Sequence, residues 1–227
     1  MLAVRTYVRY LVPLTLLSVI AFAPVILLAL RVPVPANGKQ AVIALRYAWV
    51  FAACSIIPLF LLVGGVAPAV RGMVAGAPRT QLRVLGAGLT GLAGALIPTV
   101  IAAAAIAMGS LALVLPGLIL IVLLALSGAS ALEGGPARVA DSIAVARTRI
   151  LPILGVLVAV LAVQAIAIFV LSRQLMPLPK PPKPEHLAGF RQLVRVTVAG
   201  IVLAAPIAAV ALATIYERAR LRLTPAR

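Results

Sequence analysis

The chain has 227 residues, of which 64% are hydrophobic and only 11% are charged. Soluble domains carry roughly 25% charged residues, and a soluble protein of this size could not cover so much apolar surface with so few charges. The net charge of +16 can indicate nucleic-acid binding. Here the charges lie between hydrophobic runs and not on one clustered face, so we interpret them as topology signals and contacts with anionic lipid headgroups. We expect an all-α integral membrane protein whose partners include the lipid bilayer, with no nucleic acid.

Apolar runs long enough to cross a bilayer, about 20 residues each, recur along the chain. The first follows Arg5 and Arg9 and is long for a signal-peptide core, so we interpret it as a retained span. The stretch from Val84 to Leu132 has no charge and must double back at the turn residues of MGSLALVLPG (108–117). The sequence predicts a single transmembrane domain over 1–227, a bundle of about six helices at 10–30, 48–70, 85–106, 111–132, 151–172 and 196–216.

Six spans place both termini on one side of the membrane. The segments on that side carry twelve Lys and Arg, against eight on the opposite side. Because positively charged loops stay in the cytoplasm, we expect both termini to be cytoplasmic. Arg outnumbers Lys seventeen to three and Ala is abundant, which is typical of a GC-rich bacterium. We therefore expect a multi-pass protein of the bacterial inner membrane.

The third predicted span contains GAGLTGLAGA (86–95). Its glycines resemble a dinucleotide-binding pattern, but no strand precedes them and no acidic residue follows at the required distance. Small residues that recur every fourth position let helices approach closely in lipid. The pattern predicts two helix-packing stripes: Ala87, Gly91 and Ala95, and Gly86, Thr90 and Gly94.

Four prolines fall within predicted spans: Pro24, Pro58, Pro98 and Pro206. Each can kink its helix, which a bilayer tolerates when neighbours satisfy the freed carbonyls. A kinked helix that lines a substrate path is one interpretation, and a kink without function is the other.

The segment 174–195 has two parts. Pro177 to Pro184 forms a polyproline-type run with Lys180 and Lys183, which predicts a stiff strut, with peptide docking as the alternative. From Glu185, apolar residues recur at helical spacing and predict an interfacial helix leading into the last span. These residues are Leu187, Phe190, Leu193 and Val194. His186 stands without a ligand cluster around it, so we interpret it as a headgroup-level side chain.

The stretch ALEGGPARVADSIAVARTR (131–149) holds two of the four acidic residues, Glu133 and Asp141. The residues Val139, Ile143, Ala146 and Ile150 define one helical face, which predicts an amphipathic cytoplasmic helix over 133–150 that connects two spans. Arg138, Asp141, Ser142 and Arg149 define the opposite face.

Glu133 precedes the predicted helix, where the helix dipole favours a negative charge, and it can also pair with Arg147 or Arg149. Alternatively, Glu133 couples transport to a proton or ion. Such carboxylates usually lie at mid-membrane, where the predicted spans hold no ionisable residue and Gln164 is the most polar group. The candidate charge cluster comprises Glu133, Arg138, Asp141, Arg147 and Arg149.

The residue types that carry catalysis do not occur in suitable combinations. The sequence shows no Ser/His/Asp set, no paired carboxylates at a plausible spacing, no phosphate loop and no metal-ligand cluster. The single cysteine, Cys54, excludes an intrachain disulfide framework. We expect no cofactor, no metal and no enzymatic activity.

Several residues resemble the signature of a bacterial family of polytopic membrane proteins related to the membrane domain fused to some glycerophosphoryl diester phosphodiesterases. They are Pro116-Gly117, Glu133-Gly134, Ala140, Ser142, Arg147 to Ile150, and the stretch from Thr214 to Arg222. Ile143 replaces the usual tryptophan and Arg218 a usual aspartate. The resemblance implies a six-helix bundle with the charged segment in the cytoplasm, and it implies no activity.

Two functions follow from these patterns. The first is a non-catalytic scaffold, an assembly or interaction partner that binds other membrane proteins, a second copy or lipids. The second is a transporter, permease or channel-like component for a lipid or another small amphipathic substrate. A transporter predicts a polar-lined cavity at mid-depth, whereas a scaffold predicts a filled interior or a flat exposed apolar patch.

Overall fold

The computed structural model describes residues 2–112, 114–130, 138–175 and 184–223. These residues are almost entirely helical and contain no strand. The helices, in chain order, are α1 (Leu2–Arg9), α2 (Leu11–Ala21), α3 (Ala23–Leu30), α4 (Gly38–Cys54), α5 (Ile56–Val74), α6 (Gln81–Ala112), α7 (Val114–Leu124), α8 (Ser127–Ser130), α9 (Arg138–Thr148), α10 (Ile150–Leu175) and α11 (Pro184–Leu223).

Prolines coincide with several of the interruptions between these helices. A proline has no N–H to donate to the carbonyl four residues earlier, but it fits the first turn of a helix, where no donor is needed. Five prolines occupy the second or third position of the helix that follows a break: Pro13, Pro24, Pro58, Pro116 and Pro152. Of the predicted kinks, Pro24 and Pro58 therefore mark breaks, whereas Pro98 and Pro206 lie inside uninterrupted helices.

The helices that are long and apolar enough to cross a membrane are fewer than predicted. Four qualify among the described residues: Gly38–Val74, Gln81–Ser110, Ile150–Leu175 and Leu187–Arg222. A fifth is counted if α1 and α2, which meet at 87°, form one bent span. The protein is thus helical, with four or five helices suited to a bilayer, and six spans are not confirmed.

Two of the predicted spans are divided into shorter helices in the structure, because a hydropathy average does not show where a helix is interrupted. The run at 10–30 is divided at Phe22 into α2 and α3. The run at 111–132 is divided into α7 and α8, and its apolar helical part, Gly117–Ser130, is shorter than a span. The chain doubles back within 108–117, as the sequence predicts. A Cβ on Gly117 would lie 3.1 Å from the Cα of Ser110.

The predicted interfacial helix after Glu185 is not a separate element. α11 continues without a break from Pro184 to Leu223, because the sequence offers no helix breaker between the two parts. Leu187 and Phe190 pack with Ala41 and Ala44 of α4 and are buried, so their apolar face contacts protein and not headgroups. Residues 177–183 of the predicted strut and the side chain of His186 lie outside the described residues, and Pro184, the last residue of the predicted strut, begins α11.

The centre of the fold is a close crossing of α5, α6 and α8 at Gly64, Gly91 and Gly128, called here the glycine junction. A Cβ on Gly128 would clash with the Phe60 carbonyl oxygen, and one on Gly91 would lie 2.5 Å from the Gly64 carbonyl oxygen. Glycine therefore allows the three backbones to meet directly, the kind of small-residue contact that favours helix association in lipid.

The start of α2 and the last turns of α11 lie at one end of the bundle. The buried carboxylate of Glu217, near the end of α11, accepts a hydrogen bond of 3.0 Å from Nε of Arg71 in α5. The hydroxyl of Tyr10 donates to the carbonyl of Arg79 at 2.9 Å, shortly after α5 ends. These two contacts place the start of α2 and the end of α11 beside the same end of α5.

Candidate functional site

The predicted charge cluster is only partly described by the structure. Glu133 lies outside the described residues, and the same applies to the side chains of Arg138 and Asp141. Arg147 is exposed and Arg149 is half-buried, at the end of α9 and just beyond it. The described residues therefore do not assemble this cluster into a site.

α9 covers Arg138–Thr148 of the helix predicted over 133–150; the predicted amphipathic character is not confirmed, and the buried face differs from the prediction. α9 buries Ser142, Val145 and Ala146, whereas Ser142 was expected on the polar side. Ile150, expected on the apolar face, is 44% exposed. The difference arises because α9 packs against α7 and α8, and its small residues fit that contact better than the larger side chains do.

The two predicted packing stripes of α6 have different surroundings. Gly91 and Ala95 are buried beside Gly64, and Ala87 is half-buried. Gly86, Thr90 and Gly94 are exposed, and among the described residues a Cβ on Gly86 would meet no atom within 4 Å. Gly88, which the stripes omit, packs on Leu17 and on the carbonyl of Gly65.

The feature that the sequence did not predict is a groove between α10 and α11, closed at its inner side by Phe22, Ser55 and Leu59. Its volume is about 550 Å³, within the roughly 300–1,000 Å³ typical of small-molecule sites. None of the described residues that line it is ionisable. They are Phe22, Ser55, Leu59, Val156, Ala159, Val160, Val163, Gln164, Ala167, Leu171, Val196, Thr197, Gly200, Ile201, Ala204, Ala205, Ile207, Ala208 and Ala211.

The groove exists because α10 contacts the bundle along a narrow face. Its buried residues are Ile153, Leu157, Gln164 and Ile168, which leave a gap around Val160. The facing side of α11 carries small residues, including Gly200, at which an added Cβ would meet no atom within 4 Å. The small side chains of α11 and the gap beside α10 around Val160 leave space that the protein does not fill.

The groove opens along the sides of two candidate membrane spans. Val163 of α10 is 61% exposed and Val196 of α11 is 52% exposed, and both line the groove. Side chains of this kind on a membrane span face acyl chains. The groove is therefore open along the exposed sides of these two candidate spans.

Three buried polar side chains interrupt the apolar lining: Ser55, Gln164 and Thr197, called here the polar cluster. The hydroxyl of Ser55 donates to the carbonyl of Ala52 at 2.6 Å and accepts from Nε2 of Gln164 at 3.3 Å. Within the described residues, Oε1 of Gln164 and Oγ1 of Thr197 are buried without a hydrogen-bond partner. Buried polar groups of this kind cost free energy unless something satisfies them.

The polar cluster lies near the middle of two candidate spans, α10 and Gly38–Val74. Gln164 is close to the middle of the 26-residue helix α10, and Ser55 occupies the break between α4 and α5 that Pro58 causes. Sequence reasoning identified Gln164 as the most polar group within a span, but it missed Ser55 and Thr197. The residue pattern around Pro58 offered a signal for Ser55, and no local signal distinguishes Thr197 from other threonines.

Comparison with protein-family models, with curated proteins and with solved structures finds no match for this chain. The resemblance to the family related to the phosphodiesterase membrane domain is neither supported nor refuted, so it stays a prediction.

Proposed function

We propose that this protein binds a lipid or another amphipathic molecule in the groove between α10 and α11, as a non-catalytic membrane protein. The single observation that carries the proposal is an apolar groove of about 550 Å³ with two unpartnered polar atoms at its polar cluster. An apolar site with few polar groups is the usual form of a small-molecule pocket. A polar group on an otherwise apolar ligand would satisfy the atoms that the protein leaves unpaired.

The groove bears differently on the two functions that the sequence left open. A scaffold predicts a filled interior or a flat exposed apolar patch, and the space beside Gly200 does not fit the first of these. A transporter predicts a polar-lined cavity, whereas this lining is apolar except for the polar cluster. Binding of an amphipath, either for transport or for presentation to a partner, agrees best with both observations.

A scaffold function remains the second candidate. The observation that favours it is the exposed small-residue stripe of Gly86, Thr90 and Gly94 on α6, which a helix of another membrane protein or of a second copy could approach closely. In that case, substitution of Gly86 by a large residue would disrupt assembly and leave lipid binding unchanged.

The proposal includes a location in the bacterial cytoplasmic membrane with both termini inside. Its support is the excess of Lys and Arg in the predicted cytoplasmic segments, together with the contacts of Tyr10 and Glu217 at one end of the bundle. Protease or cysteine-labelling accessibility of tags at the two termini of inverted and right-side-out vesicles tests this part.

Lipid retention by matched glycine variants tests the proposed function. The wild type, Gly200→Leu and Gly155→Leu are purified in a mild detergent, and mass spectrometry counts the fraction of each that retains a bound amphipath. A Cβ meets no atom within 4 Å at either glycine, but only Gly200 lines the groove. We expect Gly200→Leu to lower the bound fraction about tenfold or more and Gly155→Leu to match the wild type. Equal retention by all three proteins would contradict the proposal.

A further inference from the structure

We propose that the ligand of this groove is an uncharged amphipath with a hydroxyl group, and that Gln164 and Thr197 bind this hydroxyl. The inference rests on the proposed function and specifies its ligand class. The three side chains that carry it are all more than nine-tenths buried: Ser55 at 3% exposed, Gln164 at 8% and Thr197 at 5%.

The hydrogen-bond inventory of the polar cluster leaves both an acceptor and a donor of Gln164 unpaired. Ser55 has one hydroxyl proton, and it is directed to the carbonyl of Ala52. The amide of Gln164 directs one of its two Nε2 hydrogens to the oxygen of Ser55, which leaves the second N–H and the oxygen Oε1, an atom that can only accept. A ligand must therefore supply a donor to satisfy Gln164.

The unpaired hydroxyl of Thr197 can both donate and accept a hydrogen bond. Its hydroxyl has one proton and two lone pairs, and within the described residues its oxygen has no partner. Several described threonines elsewhere in this fold donate to a carbonyl of their own helix, as Thr214 does to Val210 at 2.7 Å, whereas the buried Thr99 shares with Thr197 the lack of a partner within the described residues. A ligand hydroxyl both donates and accepts, so this group can satisfy Gln164 and Thr197, whereas an ether or ester oxygen can only accept.

The lining of the groove also restricts the charge of the ligand. No described residue that lines the groove is ionisable, and an unpaired charge at such depth is costly. Phosphate, carboxylate and quaternary ammonium groups are thus unsuitable at the polar cluster. The lateral opening beside Val163 and Val196 suits an apolar chain, so long-chain alcohols and acylglycerols with a free hydroxyl are the class that fits.

Competition between two matched probes tests the inference. The full chain in phosphatidylcholine nanodiscs is labelled with a photoreactive long-chain alcohol, and unlabelled hexadecanol or hexadecyl methyl ether competes. The two competitors share the chain and the oxygen, but only the alcohol can donate. We expect hexadecanol to compete about five- to tenfold better, the ratio that one net hydrogen bond gives.

Substitutions in the polar cluster should remove this preference without removing the site. In a Gln164→Leu/Thr197→Val double variant, we expect labelling to persist and the two competitors to differ by less than about twofold. Thr197→Ser keeps a hydroxyl and should retain the preference. Thr90→Val, which removes an exposed hydroxyl bonded to the carbonyl of Ala87 in its own helix, should also retain it. If the double variant does not fold, Thr197→Val compared with Thr197→Ser provides the same test.

The outcomes separate the two proposals. Equal competition by alcohol and ether in the wild type, or a preference that survives the double variant, would overturn the hydroxyl inference and leave groove binding standing. Labelling that cannot be saturated, or that Gly200→Leu does not lower, would overturn groove binding itself.

Discussion

The two sides of this bundle are packed in opposite ways. At the glycine junction, α5, α6 and α8 meet with no space for a Cβ, and Glu217 joins α11 to α5 through Arg71. Around α10, 22% of the most apolar window is buried, against 56% for Gly38–Val74, which contains α5, and 28% for α6, and the groove remains open. In the proposed account the junction supplies stability and the groove supplies binding, because an unfilled apolar space contributes nothing to stability.

The largest effect on stability should come from the glycine junction. Gly128→Leu forces a side chain against the Phe60 carbonyl oxygen, and we expect a loss of about 3 kcal/mol or failure to fold, the upper range for overpacking. Unfolding by SDS titration measures it. The same substitution at Gly155, where a Cβ meets nothing within 4 Å, is the control. Equal destabilisation by both would contradict the proposed division between the two sides.

Loss of the ion pair between Arg71 and Glu217 should have the next largest effect on the free energy of unfolding. Glu217→Gln leaves the Arg71 cation without its carboxylate, and because the Arg71 side chain is 35% exposed we expect a loss of about 2 kcal/mol, less than for a fully buried pair. Arg218→Gln, at an exposed neighbour, should change stability by less than about 0.5 kcal/mol. A neutral result for Glu217→Gln would mean that the contact does not stabilise the packed side.

Filling the groove should affect ligand binding and not the fold. For Gly200→Leu we expect an unfolding free energy within about 0.5 kcal/mol of the ligand-free wild type, since the added side chain enters open space and leucine favours helix. Added long-chain alcohol should raise the melting temperature of the wild type and not that of the variant. A variant that is stabilised equally by the alcohol would place the ligand elsewhere.

The smallest effect on the free energy of unfolding should come from removing a single hydrogen bond between α2 and α11. Ser18 donates to the carbonyl of Val202 at 2.6 Å, and Ser18→Ala should cost about 0.6 kcal/mol, the average for such bonds in membrane bundles. Thr15→Ala removes a hydroxyl that bonds only the carbonyl of Leu11 in its own helix, so its SDS-unfolding curve should overlay that of the wild type. A larger shift for Thr15→Ala than for Ser18→Ala would contradict this account.

The general class of the fold could be predicted because it depends on composition. Charge depletion and apolar runs indicate membrane helices whatever their arrangement, and the small-residue spacing located Gly91 and Ala95 at a close contact. The number of spans could not be predicted in this way. Hydropathy averages over a window and does not show that helices are interrupted just before Pro24 and Pro58, whereas they continue through Pro98 and Pro206.

The candidate site depends on tertiary structure, so most of it could not be predicted from the sequence. Thr15, Thr90 and Thr214 satisfy their own backbones, so a threonine within an apolar helix usually predicts nothing. Only the packing of α10 against α11 shows that Thr197 lacks such a partner. In the same way, Arg71 and Glu217 were recognisable as span ends, but their pairing joins residues 146 positions apart.

Mapping the photoadduct of the long-chain alcohol onto peptides tests the central claim most directly. The account predicts saturable labelling concentrated on residues 156–171 and 196–211, which line the groove, reduced about tenfold or more in Gly200→Leu and unchanged in Gly155→Leu. Labels spread over the exposed faces of all helices, with the same distribution in both variants, would contradict it.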